Sequence, residues 1–216
     1  GHSVTVANGW TSEPADALIA LHALRSHDAV MRFRAAYPQR AIVLILTGTD
    51  LYRDLAGDAA SRAKVLASMQ AADKLVVLQE EAIASVPSEL RAKIVTIHQS
   101  VPLLPTERQT LPEHCFLVTV IGHLRDEKDP FCIVRALRRL PEASSLRVLH
   151  LGRAMDDAHE DRAKEAMQED PRYGWVGELP QYNALQWLAS GQLMVISSCM
   201  EGGAHVIMEA VCSGTP

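Results

Sequence analysis

Phe116-Leu-Val-Thr-Val-Ile121, followed by Gly122-His-Leu-Arg-Asp-Glu-Lys-Asp-Pro130, decides the fold. Six residues of strand length end in a glycine turn and a charged loop. A helical stretch then runs from Pro130 to Leu140, with proline at a favourable first helical position. The same unit recurs downstream. Strand Leu146–Leu151 leads through Gly152 to a helix over Ala158–Gln168, and strand Gly174–Val176 leads through Pro180 to a helix ending near Ala189. Strand Leu193–Ser198 leads through Glu201-Gly-Gly203 to a helix from about Ala204. Strands alternating with crossover helices predict a parallel sheet.

Upstream, residues 101–114 hold three prolines and no hydrophobic period, the texture of a linker. Before them the alternation is present again. Val4–Ala7 and Ala17–Leu21 are β-prone, a helix follows Ser26 until Pro38, and Ala41–Leu46 reads as a strand covered on both faces. The turn Thr47-Gly48-Thr49-Asp50 precedes a helix over Ser61–Ala72, a strand over Lys74–Gln79, a helix over Glu80–Leu90 and a strand over Lys93–His98. The expected organisation is an α/β fold of two Rossmann-like domains with parallel sheets, residues 1–100 and 115–216, joined by the linker. Gly1-His2 runs at once into a strand and Gly214-Thr-Pro216 ends on a turn, so both domains are expected to be incomplete pieces of a longer chain.

The chain has 216 residues with 21 basic and 26 acidic side chains, for a net charge of −5. That balance disfavours a broad nucleic-acid footprint, and any phosphate site must be local. No apolar run approaches the roughly 20 residues that span a bilayer. The four cysteines, Cys115, Cys132, Cys199 and Cys212, are scattered without a Cys-x-x-Cys pair, which predicts reduced thiols and a cytoplasmic setting. His98, His123 and His150 form no ligand spacing with a carboxylate, so no metal and no cofactor is expected.

In open parallel sheets, ligands sit beyond the carboxyl ends of the strands. Gly122–Pro130 puts Arg125 and Lys128 in one such loop. Met200-Glu201-Gly202-Gly203-Ala204-His205 enters the last helix, where glycines admit close approach and helix-start amides donate to an anion. Glu201 would be repelled by phosphate and is expected to face the neutral part of a ligand. Glu209 lies eight residues on, about two helical turns, and is expected on the same helix face. The Thr47–Asp50 turn offers amides to an anion. Asp50 itself reads as a cap of the next helix, and His22, ending an apolar strand, as a satisfied buried histidine sooner than as an acceptor contact. His205 reads evenly as a phosphate contact or a packing residue.

Glu201-Gly-Gly-Ala-His-Val-Ile-Met-Glu209 resembles the E-x7-E signature of the GT-B glycosyltransferases of family 4, and Arg125 and Lys128 are similar to that family's diphosphate clamp. A narrower likeness covers Leu46–Leu55, Leu75–Gln79, His98-Gln-Ser100, Val120–Pro130 and Glu201–Pro216, which resemble the selenosugar synthases of selenoneine biosynthesis. The resemblance implies a metal-independent transferase that moves a sugar from UDP-N-acetylglucosamine or UDP-glucose onto selenophosphate, across a cleft between two domains. It implies donor contacts from Gly122, Arg125, Lys128, Glu201, Gly202, Gly203, Ala204, His205 and Glu209. Arg125, Lys128 and Glu201 would serve the reaction itself, Glu201 on the sugar and Glu209 on the ribose. Thr47, Gly48, Thr49 and Asp50 would lie on the acceptor side. The chain departs from the family at Thr47, where a histidine is common, and at His123, where an arginine is common. Two alternatives stay open: a family 4 transferase using a hydroxyl acceptor, and a nucleotide-sugar-binding protein without catalysis.

Overall fold

The computed structural model describes residues 1–101, 107–142 and 144–216. The chain divides into two units, residues 1–99 with 200–203 and residues 100–199 with 204–216. The α/β class with two parallel sheets read from the sequence is the one observed.

The first unit holds β1 (Ala17–Leu21), α1 (His27–Ala36), β2 (Ala41–Ile45), α2 (Ala59–Ala71), β3 (Lys74–Val77) and β4 (Ile94–Thr96). Its strands are parallel in the order β1-β2-β3-β4. Ile42, Leu44, Leu75 and Val77 pack with Val30 and Phe33 of α1 and Val65 and Met69 of α2 into one core. Asp58 starts α2, its carboxylate accepting from the amides of Ala60 and Ser61. Val4–Ala7, expected as a strand, is irregular and exposed, and it pairs with no strand among the described residues. The single helix expected over 80–90 is two short 3₁₀ turns, Glu80–Ser85 and Ser88–Lys93. Pro87 divides them, because proline disfavours helical geometry in the residue before it.

The second unit holds β5 (Phe116–Ile121), α3 (Cys132–Leu137), β6 (Leu146–Leu151), α4 (Asp157–Glu169), β7 (Tyr173–Trp175), α5 (Gln181–Ser190), β8 (Leu193–Met194) and α6 (His205–Ser213). Its order is β7-β6-β5-β8, again parallel. Val118, Val120 and Val148 pack on Val134 and Leu137 of α3 and Ala166 of α4. β8 is shorter than its apolar run, since only Leu193 and Met194 pair with β5. Residues 102–106 of the expected linker lie outside the described residues. The part that follows docks on α5, where Gln109 N donates to Ser190 Oγ (2.6 Å) and Gln186 Nε2 to Glu107 Oε2 (3.1 Å).

The strand order fixes where a ligand can enter the second unit. From β5 the chain winds outward through β6 to β7, then returns to β8 on the other side of β5. The crevice at such a switch point, at the carboxyl ends of the strands, is where doubly wound sheets bind ligands. The loops after β5 and β8 flank it.

Candidate functional site

The loop after β5 carries Arg125 and Lys128 and contains only one 3₁₀ turn, Asp126–Lys128. Neighbouring segments hold it. Leu124 pairs with Ala154 in a parallel bridge, with Leu124 N donating to Arg153 O (3.0 Å) and Met155 N to Leu124 O (3.1 Å). Cys199 N donates to Glu127 O at 2.8 Å, tying the loop after β8 to the loop after β5. Asp129 closes the turn at φ 40°, in the left-handed region, and its carboxylate accepts from Arg135 at 2.6 Å.

Arg125 shows an unmet need. Its Nε is buried and makes no hydrogen bond among the described residues, while Glu127 Oε2 stands 3.9 Å away. A buried donor without a partner costs about 1–3 kcal/mol, and an anionic ligand would satisfy it.

α6 supplies the second feature. Ala204, its N-cap, gives no side-chain cap, so first-turn amides lack the usual side-chain acceptor. Glu209 is buried on this helix. Its Oε1 accepts from Gln181 Nε2 (3.3 Å) and lies 3.4 Å from His205 Nε2. Glu201, in contrast, is not on the helix, which corrects the expectation of a shared helix face. Met200–Gly203 belongs to the first unit, where Gln79 Nε2 donates to Glu201 O (3.1 Å). The two glycines there serve close backbone packing. A Cβ on Gly48, itself at φ 114°, would stand 2.5 Å from Gly202 N, and a Cβ on Gly203 would stand 2.6 Å from Leu78 Cβ.

The turn Thr47–Asp50 also differs from expectation. Asp50 is fully buried, opens a π-helical turn over Asp50–Asp54, and folds its carboxylate back. Oδ1 accepts from Thr47 N (3.0 Å) and Gly48 N (2.9 Å), and Oδ2 from Ala23 N (2.9 Å). The Thr47 and Gly48 amides assigned to an anionic acceptor are therefore taken by the chain's own carboxylate. Asp50 does not cap α2; Asp58 does.

His22 is buried at φ 71°, a conformation unfavourable for a residue with a side chain. Its Nδ1 accepts from Arg25 N (3.3 Å), which places the neutral ring's proton on Nε2, 2.8 Å from Thr49 Oγ1. Asp54 Oδ1 accepts from Arg53 Nε at 2.9 Å. Asp54 Oδ2 is buried without a hydrogen-bond partner among the described residues, 3.6 Å from His22 Nε2. Burial is the main influence on His22 and holds its pKa below the ordinary value, with the Asp50 charge opposing. Sequence reasoning missed Asp54, since nothing in its spacing shows that the π-helical turn directs it at His22.

His150, on β6, is almost fully buried, and burial lowers its pKa from 6.5 to about 4. Between those values the unfolded chain holds a proton that the native state lacks. Stability is therefore expected to rise with pH across that window, and to be lost as pH falls from 6.5 towards 4, by about 3 kcal/mol for this residue. Urea unfolding of the wild type and of His150→Phe from pH 4.5 to 7.5 checks this. The wild type should show the steeper slope, and equal slopes would contradict it.

Among the described residues, no group of three or more His, Cys, Asp or Glu is disposed to hold a metal ion. No helix among them is long and apolar enough to cross a membrane.

Neither a protein-family model nor a curated protein sequence matches the chain. Solved structures do match in fold. Anabaena HepE, determined in complex with UDP and glucose, has a TM-score of 0.72 at 16% identity, over 93% of this chain and 58% of HepE. Sucrose-phosphate synthase from Thermosynechococcus elongatus has a TM-score of 0.73 at 18% identity, over 93% of this chain and 55% of its own. S. aureus TarM, determined as a point mutant in complex with fondaparinux, α-GlcNAc-glycerol and UDP, has a TM-score of 0.66 at 13% identity, over 92% of this chain and 40% of TarM. The chain thus spans roughly half the length of the structures it matches, and what it shares with these glycosyltransferases is the GT-B fold.

Proposed function

We propose that the chain belongs to a glycosyltransferase that takes a sugar from UDP-N-acetylglucosamine or UDP-glucose, with the nucleotide at the β5/β8 switch point. The observation that carries this reading is the buried Arg125 Nε, which makes no hydrogen bond among the described residues, in a loop that flanks the switch point and also bears Lys128. The UDP complexes of HepE and TarM support it by analogy of fold. In this reading Arg125, Lys128 and the amides at the start of α6 stabilise the charge that develops on UDP as the anomeric C–O bond breaks. Charge-assisted donors of this kind need no metal, so activity is expected to survive excess chelator.

Glu209 would accept the ribose hydroxyls and Glu201 would position the sugar. Glu209→Gln is then expected to weaken UDP itself about tenfold, because an amide offers one acceptor oxygen where the carboxylate offers two. Glu201→Gln should leave UDP affinity nearly intact and lower turnover. Calorimetry with UDP, paired with initial rates, checks the split, and the opposite pattern would exchange the two roles.

For the acceptor we propose selenophosphate, on the sequence likeness to selenosugar synthases. Its selenium would attack the anomeric carbon, the C–Se bond forming as UDP departs with the electron pair of the C–O bond. With the Thr47 and Gly48 amides occupied by Asp50, its seat would have to draw on side chains such as Arg53 and on Thr49. A second reading has its own observation. Asp54 Oδ2, buried beside His22 Nε2 and without a hydrogen-bond donor among the described residues, suits a hydroxyl group better than an anion. Incubation with each UDP-sugar and selenophosphate separates them. UDP release with a selenium isotope pattern in the sugar product supports the first reading. Release only when a hydroxyl acceptor is present supports the second. Tight UDP-sugar binding without release in either case would overturn transfer altogether and leave a non-catalytic binding protein.

A further inference from the structure

The Arg125/Lys128 loop is one 3₁₀ turn between the end of β5 and the start of α3, and such a turn does not fix its own orientation. Its first and last carbonyls are both held by side chains, one from β6 and one from the segment that follows β8. On the β6 side, His150 Nε2 lies 3.2 Å from Gly122 O, and His150 Nδ1 lies 3.0 Å from Tyr173 Oη. A carbonyl can only accept, so Nε2 carries the proton and donates to Gly122 O. The neutral ring's Nδ1 then accepts from the tyrosine hydroxyl. Both residues are buried, and the pair forms a chain of directed hydrogen bonds from β7 through β6 to the loop. On the β8 side, Ser197 Oγ lies 3.0 Å from Lys128 O and 2.9 Å from Asp129 O, so one hydroxyl proton serves the two carbonyls that end the turn.

Between these anchors is a cavity of about 10 Å³ lined by Gly122, Lys128, His150 and Ser197 among others, space for a single water at most. Gly152 packs against the backbone of Gly122 and His123. It has φ 150°, and a Cβ there would overlap the Gly122 carbonyl. The loop therefore has little room to drift while both side chains are present.

We propose that His150, backed by Tyr173, and Ser197 are positioning residues of the donor-diphosphate loop. They set where Arg125 and Lys128 present their charge, without touching the ligand. The proposal rests on the donor-site reading above, and it has a signature that general destabilisation lacks. Misplaced cations weaken binding of the diphosphate but not of the nucleoside.

The test is a titration, followed by NMR, of wild type, His150→Leu and Ser197→Ala with UDP and with uridine, alongside the melting temperature of each. Wild type should prefer UDP strongly. In His150→Leu the UDP affinity should fall about tenfold, and in Ser197→Ala by a smaller factor, with uridine affinity unchanged in both. Equal losses for UDP and uridine, or an unchanged preference for UDP in both variants, would overturn the proposal while leaving the donor site standing. A wild type that does not distinguish UDP from uridine would overturn the donor-site reading and the proposal with it. Should His150→Leu fail to fold, Ser197→Ala decides, since it removes a single oxygen.

Discussion

Asp50→Ala should lower the free energy of unfolding by about 3–5 kcal/mol. The carboxylate is fully buried and accepts from the amides of Ala23, Thr47 and Gly48 at 2.9–3.0 Å. Removing it leaves the buried amides of Ala23 and Gly48 and the part-buried amide of Thr47 without this acceptor, and each buried donor left so costs about 1–3 kcal/mol before relaxation. Asp50→Asn should recover part of the loss, because its single carbonyl oxygen can serve some of the amides while its NH₂ group opposes another. Urea unfolding at pH 7 measures both variants. A loss below about 1 kcal/mol for Asp50→Ala would mean that the turn reorganises and the amides find other acceptors.

The second large effect is expected in the nucleotide loop. Arg125→Ala and Lys128→Ala should each weaken UDP about 10- to 100-fold, since each removes a charge-assisted contact of about 1.5–3 kcal/mol. The double variant should bind UDP no better than uridine. Arg125→Lys is expected to recover only part of the affinity, because an ammonium cannot supply the directed Nε donor that lies buried here. Calorimetry with UDP checks all four proteins, and unchanged affinity in both single variants would remove the loop from the site.

Local patterns made the two sheets and most crossovers legible in the sequence. Phe116–Ile121 and Leu146–Leu151 are strands over the full expected spans, each a β-prone stretch of strand length that ends at a glycine. Where the reading failed, the deciding term was non-local. Val4–Ala7 has the composition of a strand but pairs with none among the described residues. Leu193–Ser198 has the composition of a six-residue strand, yet it pairs only at Leu193 and Met194 before Ser197 turns to the Lys128 and Asp129 carbonyls.

The candidate site divides in the same way. The positions of Arg125, Lys128 and Glu209 in their loop and helix followed from spacing, because a strand-to-helix turn fixes its own neighbours. Glu201 did not. Its place is set by glycines packing against Thr47 and Gly48, about 150 residues earlier in the chain. Asp50 filling its own turn, Asp54 facing His22, and His150 holding Gly122 all depend on side chains brought together by the sheets. No period or motif announces such contacts.

The functional reading turns on where the nucleotide sits, and a crystal structure of the protein with UDP tests that most directly. The diphosphate is expected within hydrogen-bond distance of Arg125 and Lys128, with the first-turn amides of α6 donating to it and the ribose hydroxyls on Glu209. UDP bound with its diphosphate away from the loop after β5, and its ribose away from Glu209, would contradict it.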